Sequence, residues 1–205
     1  MLFSLVISFP LLFTIQEAFK RREKSLEYLS AFKAGLEISI QSFHQAKKLS
    51  TAKKTEIEQR LLLLSRDLMA FLRTGMPEPS ALVEQIQEIF RFMQINKREI
   101  SFPINMRAYR YLESVYESTT YLISLRRHGT MVVIRGMTYV FMYVFPFFQA
   151  PVLYYLFGDM APHWVIYFFA ILSSLLLMVL YTIQRQLENP FGQNGLDNVI
   201  LEDFL

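Results

Sequence analysis

Apolar residues recur at every third or fourth position through most of the chain between residues 26 and 122. This spacing places them on one face of an α-helix, whereas a half-buried strand would alternate apolar and polar positions. The four stripes are Leu29, Phe32, Leu36, Ile40 and Phe43; Ile57, Leu61, Leu64, Leu68 and Phe71; Leu82, Ile86, Ile89 and Met93; and Ala108, Leu112, Val115, Thr119 and Leu122. They predict four amphipathic helices in a bundle, and no segment alternates well enough to predict a strand.

Short polar segments separate the four stripes and predict where helices begin and end. Thr55 and Glu58 have the spacing of a capping box, so we expect the second helix to begin at Thr55. The segment "TGMPEPS" ends that helix, because Gly75 can adopt a left-handed cap and Pro77 and Pro79 cannot continue a helix.

Two longer segments carry no charged residue. Met137–Phe157 has 21 residues and Trp164–Ile183 has 20, and only "GDMAPH" at Gly158–His163 separates them. About 20 apolar residues are enough for a helix to cross the hydrocarbon core of a bilayer. The two segments therefore predict a transmembrane hairpin.

A third uncharged segment, Met1–Gln16, opens the chain and meets the charged run "EAFKRREK". It lacks the basic start and small-residue cleavage site of a signal peptide, so we interpret it as a short or truncated membrane span. Twenty of the 21 Lys and Arg residues lie between Glu17 and Gly136. By the positive-inside rule this region is cytoplasmic.

The overall composition agrees with a chain that has both membrane and polar helical portions. Hydrophobic residues make up 53% of the sequence and charged residues 19%. The predicted fold class is an all-α, multi-pass integral membrane protein. Its predicted parts are a clipped transmembrane helix at 1–16, a cytoplasmic helical region at 17–136, the transmembrane hairpin at 137–184 and a cytoplasmic tail at 185–205.

The sequence offers little for catalysis, metal binding or nucleic-acid binding. His44, His128 and His163 are scattered, and none pairs with another metal-binding side chain at ligand spacing. The chain has no Cys, and its seven Gly residues form no phosphate-binding motif. Basic residues do not cluster with aromatic ones as in a nucleic-acid interface. We therefore expect neither an enzyme nor a nucleic-acid partner.

Leu5, Phe9 and Phe13 recur at every fourth position in the opening apolar segment. Residues with this spacing face lipid or neighbouring helices in most membrane helices. The same spacing would also suit a hydrophobic constriction that gates a pore by dewetting. Spacing alone favours the first interpretation and leaves the second open.

The segment Gln186–Asn198, "QLENPFGQNGLDN", follows the hairpin and also has two interpretations. Asn-Pro and Phe-Gly are typical of a turn that stops a helix. The side-chain oxygens of Gln186, Asn189, Asn194 and Asp197 would alternatively suit a cation-binding loop. The segment has few carboxylates, so composition alone does not identify a calcium site.

Several of these segments, in this order, resemble the bestrophin family. "QLENPFG" after a transmembrane hairpin resembles the family's Asn-Pro-Phe-Gly turn, which lies just past the last span. "FPLLFTIQEAFKRREKSLEYLSAFKA" resembles the second span and its cytoplasmic exit. "SLRRHGTMVVIRGMTYVFMYVFPFFQAPVLYYLF" resembles the approach to the third span in divergent members from eukaryotic microbes. The resemblance covers most of the chain, although the family's N-terminal segment and first span have no counterpart in it.

The resemblance implies a homopentameric ion channel with an axial pore and a hydrophobic neck on the second span. It brings Leu5, Phe9 and Phe13 onto the neck positions. It also matches Gln186, Asn189 and Asp197 to positions of a calcium clasp in animal members. Here the acidic run of that clasp is replaced by "QNGLDN", which argues against calcium gating, and we expect no cofactor.

The leading hypothesis is a bestrophin-like channel in the lipid bilayer that passes chloride or other small monovalent ions passively. The preference for anions comes from the better-known family members and from no residue of this chain. The alternative hypothesis is a non-conducting membrane scaffold, derived from a channel fold, whose helical region binds partner proteins.

Overall fold

The computed structural model describes residues 2–128 and 162–187, together with positions 136, 140, 143–144, 147–149, 151–155, 191 and 201. Among these residues there are helices and short turns and no strand. The helices are α1 at Leu2–His44, α2 at Thr51–Thr74, α3 at Pro79–Ile95, α4 at Phe102–Arg127 and α5 at His163–Leu187. Residues 147–149 and 151–155 are also helical. The predicted all-α class is thus confirmed for the described part of the chain.

The chain divides into two compact units. The first, called the apolar unit here, comprises Met1–Arg22 and Gly129–Pro190, and the second, called the bundle, comprises Glu23–His128 and Phe191–Leu205. Helix α1 contributes its first part to the apolar unit and the remainder to the bundle. The bundle also contains α2, α3 and α4, and the apolar unit contains α5.

The core of the bundle is built from the four stripes that the sequence pattern predicts. Every residue of those stripes is buried except Ile40, which is partly buried against the core. Phe43 of α1 and Phe92 of α3 meet edge to face, with ring centroids 6.4 Å apart. The bundle is therefore held mainly by apolar burial, as expected for helices with one continuous apolar face.

The predicted start of the second helix is wrong by one turn. Helix α2 begins at Thr51, and the side chain of Ser50 accepts a hydrogen bond from the backbone N–H of Lys53 at 3.4 Å. Thr55 already lies inside the helix, where its hydroxyl donates to the carbonyl of Thr51 at 3.1 Å. Ser50 is therefore the N-cap of α2, because its hydroxyl reaches a free N–H group of the first turn.

The predicted end of the second helix is confirmed. Gly75 has φ of 86°, in the left-handed region, and its N–H donates to the carbonyl of Phe71 at 2.8 Å. The next helix starts with Pro79 in its first turn, where the missing N–H has no helical partner to lose. Gly and Pro thus set the turn between α2 and α3.

Helices α1 and α4 approach each other closely at Gly35. A methyl group built on Gly35 would lie 2.7 Å from Cγ2 of Val115 and 3.1 Å from the carbonyl oxygen of Tyr111. Farther toward the N-terminus of α1, the rings of Tyr28 and Tyr121 stack with centroids 3.8 Å apart. The absence of a side chain at position 35 therefore allows the backbone of α1 to lie against α4.

Two fully buried hydroxyl groups in these helices are satisfied within their own helix. Ser39 of α1 donates to the carbonyl of Gly35, and Thr119 of α4 donates to the carbonyl of Val115, each at 2.7 Å. Both side chains are 0% exposed. A buried donor without a partner would be costly, so these short internal bonds allow polar residues to occupy an apolar core.

Candidate functional site

Leu5, Phe9 and Phe13 all lie on α1, within the part that belongs to the apolar unit. A step of four residues turns an α-helix by about 400° and advances it by about 6 Å, so the three positions share one face about 80° wide. The side chains of Leu5 and Phe9 lie outside the described residues, whereas Phe13 is 53% exposed. The helical spacing is thus confirmed, and the role of a neck stays a prediction.

Helix α5 exposes large apolar side chains at many positions between Trp164 and Ile183. Trp164, Tyr167, Ile171, Leu175 and Met178 are between 55% and 70% exposed, and Ile166 is buried. Monomeric soluble proteins rarely leave an apolar surface of this extent in contact with water. Among the described residues, one helix is long and apolar enough to cross a membrane, and it spans His163–Ile183.

Two contacts link α5 to the helical residues that precede it in the apolar unit. The Ser173 hydroxyl donates to Oε1 of Gln149 at 2.6 Å, and the rings of Tyr154 and His163 lie 5.9 Å apart. Contact between these two stretches is what a hairpin requires. The turn at 156–161 and parts of the predicted span Met137–Phe157 lie outside the described residues.

A cavity of about 310 Å³ lies between these two stretches. Its lining consists of Pro151, Tyr154, His163, Ile166, Tyr167 and Ala170. The lining is mostly apolar, and its polar groups are the imidazole of His163 and the hydroxyls of Tyr154 and Tyr167. These residues flank the turn of the predicted hairpin, where amphipathic aromatic residues favour a membrane–water interface.

Another cavity, of about 390 Å³, lies in the bundle between α2 and α3. Arg60 connects the two helices across it, donating to Glu56 at 2.9 Å and to Glu88 at 3.1 Å. At one end, Lys53 forms an ion pair with Glu99. Since two of its basic residues already have carboxylate partners, we interpret the cleft as a helix–helix contact.

The predicted cation loop lies largely outside the described residues. Gln186 belongs to the last turn of α5, but its side chain is not described, and Asn189 and Asp197 fall beyond the helix in the part that is not described. Within the described part of the chain, no three metal-ligating side chains come together. The clasp therefore stays a prediction from the resemblance.

The sequence pattern did not reveal a second apolar face on α4. Phe102, Met106, Tyr109 and Tyr116 are exposed, although α4 already buries another face in the core. Their spacing of four, three and seven residues is a helical period and is visible in the sequence. It was hidden by the stronger stripe of buried residues in the same helix.

Solved structures of low sequence identity resemble the chain over nearly its whole length. A crystal structure of a bacterial bestrophin homologue from Klebsiella pneumoniae, carrying a point mutation, matches with a TM-score of 0.77 and 14% identity, covering 99% of this chain and 81% of that one. A second mutant of the Klebsiella pneumoniae homologue matches with a TM-score of 0.78 over the same shares at 14% identity. A third crystal structure, described as that of a membrane protein, matches with a TM-score of 0.77 and 14% identity, covering 99% and 81% of the two chains.

No protein-family model and no curated protein sequence matches the chain. At 14% identity the structural likeness establishes the fold and leaves the function to be argued separately. The likeness extends through α1, the bundle and α5, because it covers 99% of the chain. The resemblance inferred from the sequence motifs is thereby confirmed: the chain has a bestrophin-like fold.

Proposed function

We propose that the chain is a subunit of a bestrophin-like ion channel that passes anions passively through an axial pore. The observation that carries this proposal is the structural likeness to bestrophin homologues over 99% of the chain. In this proposal the subunits form a homopentamer, as the sequence resemblance implies. The substrates are chloride or other small monovalent anions, and the chain performs no covalent chemistry.

The exposed apolar surface of α5 supports a membrane location. The apolar stretch has 21 residues. At about 1.5 Å per residue its length is about 32 Å, close to the hydrocarbon thickness of about 30 Å. Transfer of its exposed Trp, Tyr, Ile, Leu and Met side chains into lipid would remove a large apolar area from water. In this proposal α5 and the segment Met137–Phe157 span the membrane, and so does the opening part of α1.

The proposed constriction is formed by Leu5, Phe9 and Phe13 from each subunit. Successive positions rise by about 6 Å along α1, so a ring of subunits would stack three apolar rings over about 12 Å. An apolar constriction of this kind controls conduction by excluding water when it is narrow. The ring of Phe13 is about half exposed, as a place at the proposed constriction requires.

Flux through reconstituted protein tests the channel function. The purified full chain would be incorporated into liposomes, and chloride efflux would be compared with that from empty vesicles. We expect chloride efflux above background, and a larger efflux of chloride than of potassium. A well-folded oligomer that gives no flux would contradict the channel and support the scaffold alternative.

Truncation of the proposed neck tests its residues. The double variant Phe9→Ala/Phe13→Ala removes two aromatic rings per subunit, so the constriction should widen and the single-channel conductance should rise several-fold. Phe19→Ala is a matched control, because Phe19 is also about half exposed on α1 but lies beyond the predicted span Met1–Gln16. An unchanged conductance in the double variant would exclude Phe9 and Phe13 from the pore.

A further inference from the structure

Helix α4 has two faces that carry large apolar side chains, and only one of them is buried in the bundle. The exposed face contains Phe102, Met106, Tyr109 and Tyr116, which are 72%, 46%, 50% and 41% exposed. At 100° per residue the four positions fall within an arc of about 80°, along about 21 Å of the helix. Phe, Tyr and Met are enriched in protein–protein interfaces, and this face contains no Lys.

Helix α2 also exposes apolar residues on the side that is turned away from the core. Leu62 and Leu63 are 50% and 47% exposed, whereas their neighbours Leu61 and Leu64 are fully buried. Exposed Leu pairs are not explained by the packing of α2 within the bundle. The next residue on the same exposed side, one turn farther along, is Arg66.

Each exposed face carries charged residues that could pair with those of the other face. Glu113 and Glu117 lie along the exposed face of α4, with Arg110 at its edge, while Arg66 and Arg73 lie along the exposed face of α2. None of Arg66, Glu113 and Glu117 has an ion-pair partner among the described residues. The carboxylates of Glu113 and Glu117 on the aromatic face are thus complementary in charge to Arg66 on the leucine face, and both faces are apolar.

We propose that the exposed α4 face of one subunit docks onto the exposed α2 face of the next. The two faces are different surfaces of the same chain, so their contact is head-to-tail, and a head-to-tail contact that closes produces a ring. Arg66 would meet Glu113 or Glu117 at the edge of the contact, and the aromatic residues of α4 would cover Leu62 and Leu63. This inference rests on the proposed oligomeric channel and assigns the bundle surface that joins its subunits.

Cysteine cross-linking tests this contact directly, because the natural chain contains no Cys. The full chain in detergent would carry Leu63→Cys together with one of Met106→Cys, Tyr109→Cys or Tyr116→Cys, and would be treated with a flexible bis-maleimide. Each copy then has one reactive group on each face, so we expect a ladder of products larger than a dimer. Three α4 positions are used because a helix pair can differ in register.

Single-cysteine variants and a displaced pair are the matched controls. Leu63→Cys alone has one thiol per copy and can give no product larger than a dimer. The displaced pair combines Tyr109→Cys with Gln87→Cys, which places the second thiol on the exposed side of α3 instead of on α2. We expect neither to form a ladder. A ladder from the displaced pair, or products no larger than a dimer from all three α2–α4 pairs, would overturn the proposal.

Charge reversal provides a second, independent readout of the same contact. Arg66→Glu should place like charges together and raise the concentration at which the oligomer half-dissociates by about tenfold or more. Adding Glu113→Arg and Glu117→Arg to Arg66→Glu should restore assembly, since the opposite charges then meet again. If the combined variant assembles no better than Arg66→Glu alone, the proposed contact is wrong.

The outcomes separate this inference from the proposed channel function. A cross-linked ladder without chloride flux would support the subunit contact and contradict conduction. Chloride flux without any α2–α4 ladder would support the channel and place its subunit contact on another surface.

Discussion

The close approach of α1 to α4 makes Gly35 the most informative position for a test of the bundle. In Gly35→Ala the new methyl carbon would lie 2.7 Å from Cγ2 of Val115 and 3.1 Å from the carbonyl oxygen of Tyr111. Carbon atoms in favourable contact are about 3.5–4.0 Å apart, so the first distance is short by about 1 Å. Relief requires a change of the Val115 χ1 angle, which is restricted for a β-branched residue in a helix, or a movement of α4 away from α1.

Two opposing terms determine the size of the effect. Overpacking a well-packed core costs about 1–3 kcal/mol, whereas replacing Gly by Ala inside a helix contributes about 1 kcal/mol of stability. The expected net loss in the free energy of unfolding is therefore about 1 kcal/mol. For a chain of this size such a loss lowers Tm by about 2–4 °C.

A double-mutant cycle isolates the contact. Val115→Ala removes Cγ2, so Gly35→Ala in that background should be neutral or stabilising, which gives a coupling energy of about 1–2 kcal/mol. The assay is thermal unfolding of the full chain in detergent, followed by far-ultraviolet circular dichroism. Fluorescence is unsuitable, because the only Trp is Trp164 in α5 and does not report on the bundle.

Position 34, next to Gly35, provides a control for the effect of helix propensity alone. Ala34 is exposed on the same helix, so Ala34→Gly should cost about 0.5–1 kcal/mol without any change in packing. The coupling energy is zero if Gly35→Ala raises Tm by the same amount in the natural chain and in the Val115→Ala background. That result would refute the close contact between α1 and α4.

Two further predictions concern the ends and the surface of the helices. Ser50→Ala should lower the free energy of unfolding by about 0.5–1 kcal/mol, because Ser50 caps α2. Thr55→Ala should lower it by less, because Thr55 lies inside the helix. A larger loss for Thr55→Ala than for Ser50→Ala in thermal unfolding would contradict this start of the helix. Glu27 raises the pKa of Lys24 above its ordinary value of 10.5, through a 2.7 Å hydrogen bond and Coulomb attraction. Any stabilisation from this pair is therefore complete below pH 10.5 and lost as the pH rises through the raised pKa. Because the pair is exposed, Lys24→Gln should leave Tm at neutral pH unchanged, and a clear loss would contradict the surface position of Lys24.

The buried faces of the bundle could be predicted from the sequence because a single physical rule determines them. A helix that packs on one side needs apolar residues every three or four positions, and Leu61, Ile86 and Leu112 follow that rule. The start of α2 could not be obtained in this way. It depends on which hydroxyl reaches a free N–H, and both Ser50 and Thr55 have suitable side chains.

The exposed residues were harder to predict, because the same apolar residue types serve both a core and an interface. In the run Leu61–Leu64 the first and last residues are buried and the middle two are exposed, and only the packing of α2 separates them. The face shared by Leu5, Phe9 and Phe13 was visible as a helical spacing. Its role depends on how several copies assemble, which the pattern of one chain does not contain.

The internal hydrogen bonds of Ser39 and Thr119 have a mechanical consequence. Each hydroxyl carries its acceptor with it, because donor and acceptor belong to the same helix. A small rotation or slide of α1 against α4 would therefore break neither of these bonds, and it would be resisted by the steric fit around Gly35 and by the stacked rings of Tyr28 and Tyr121. The size of the side chain at position 35 would therefore help to determine how easily α1 slides along α4.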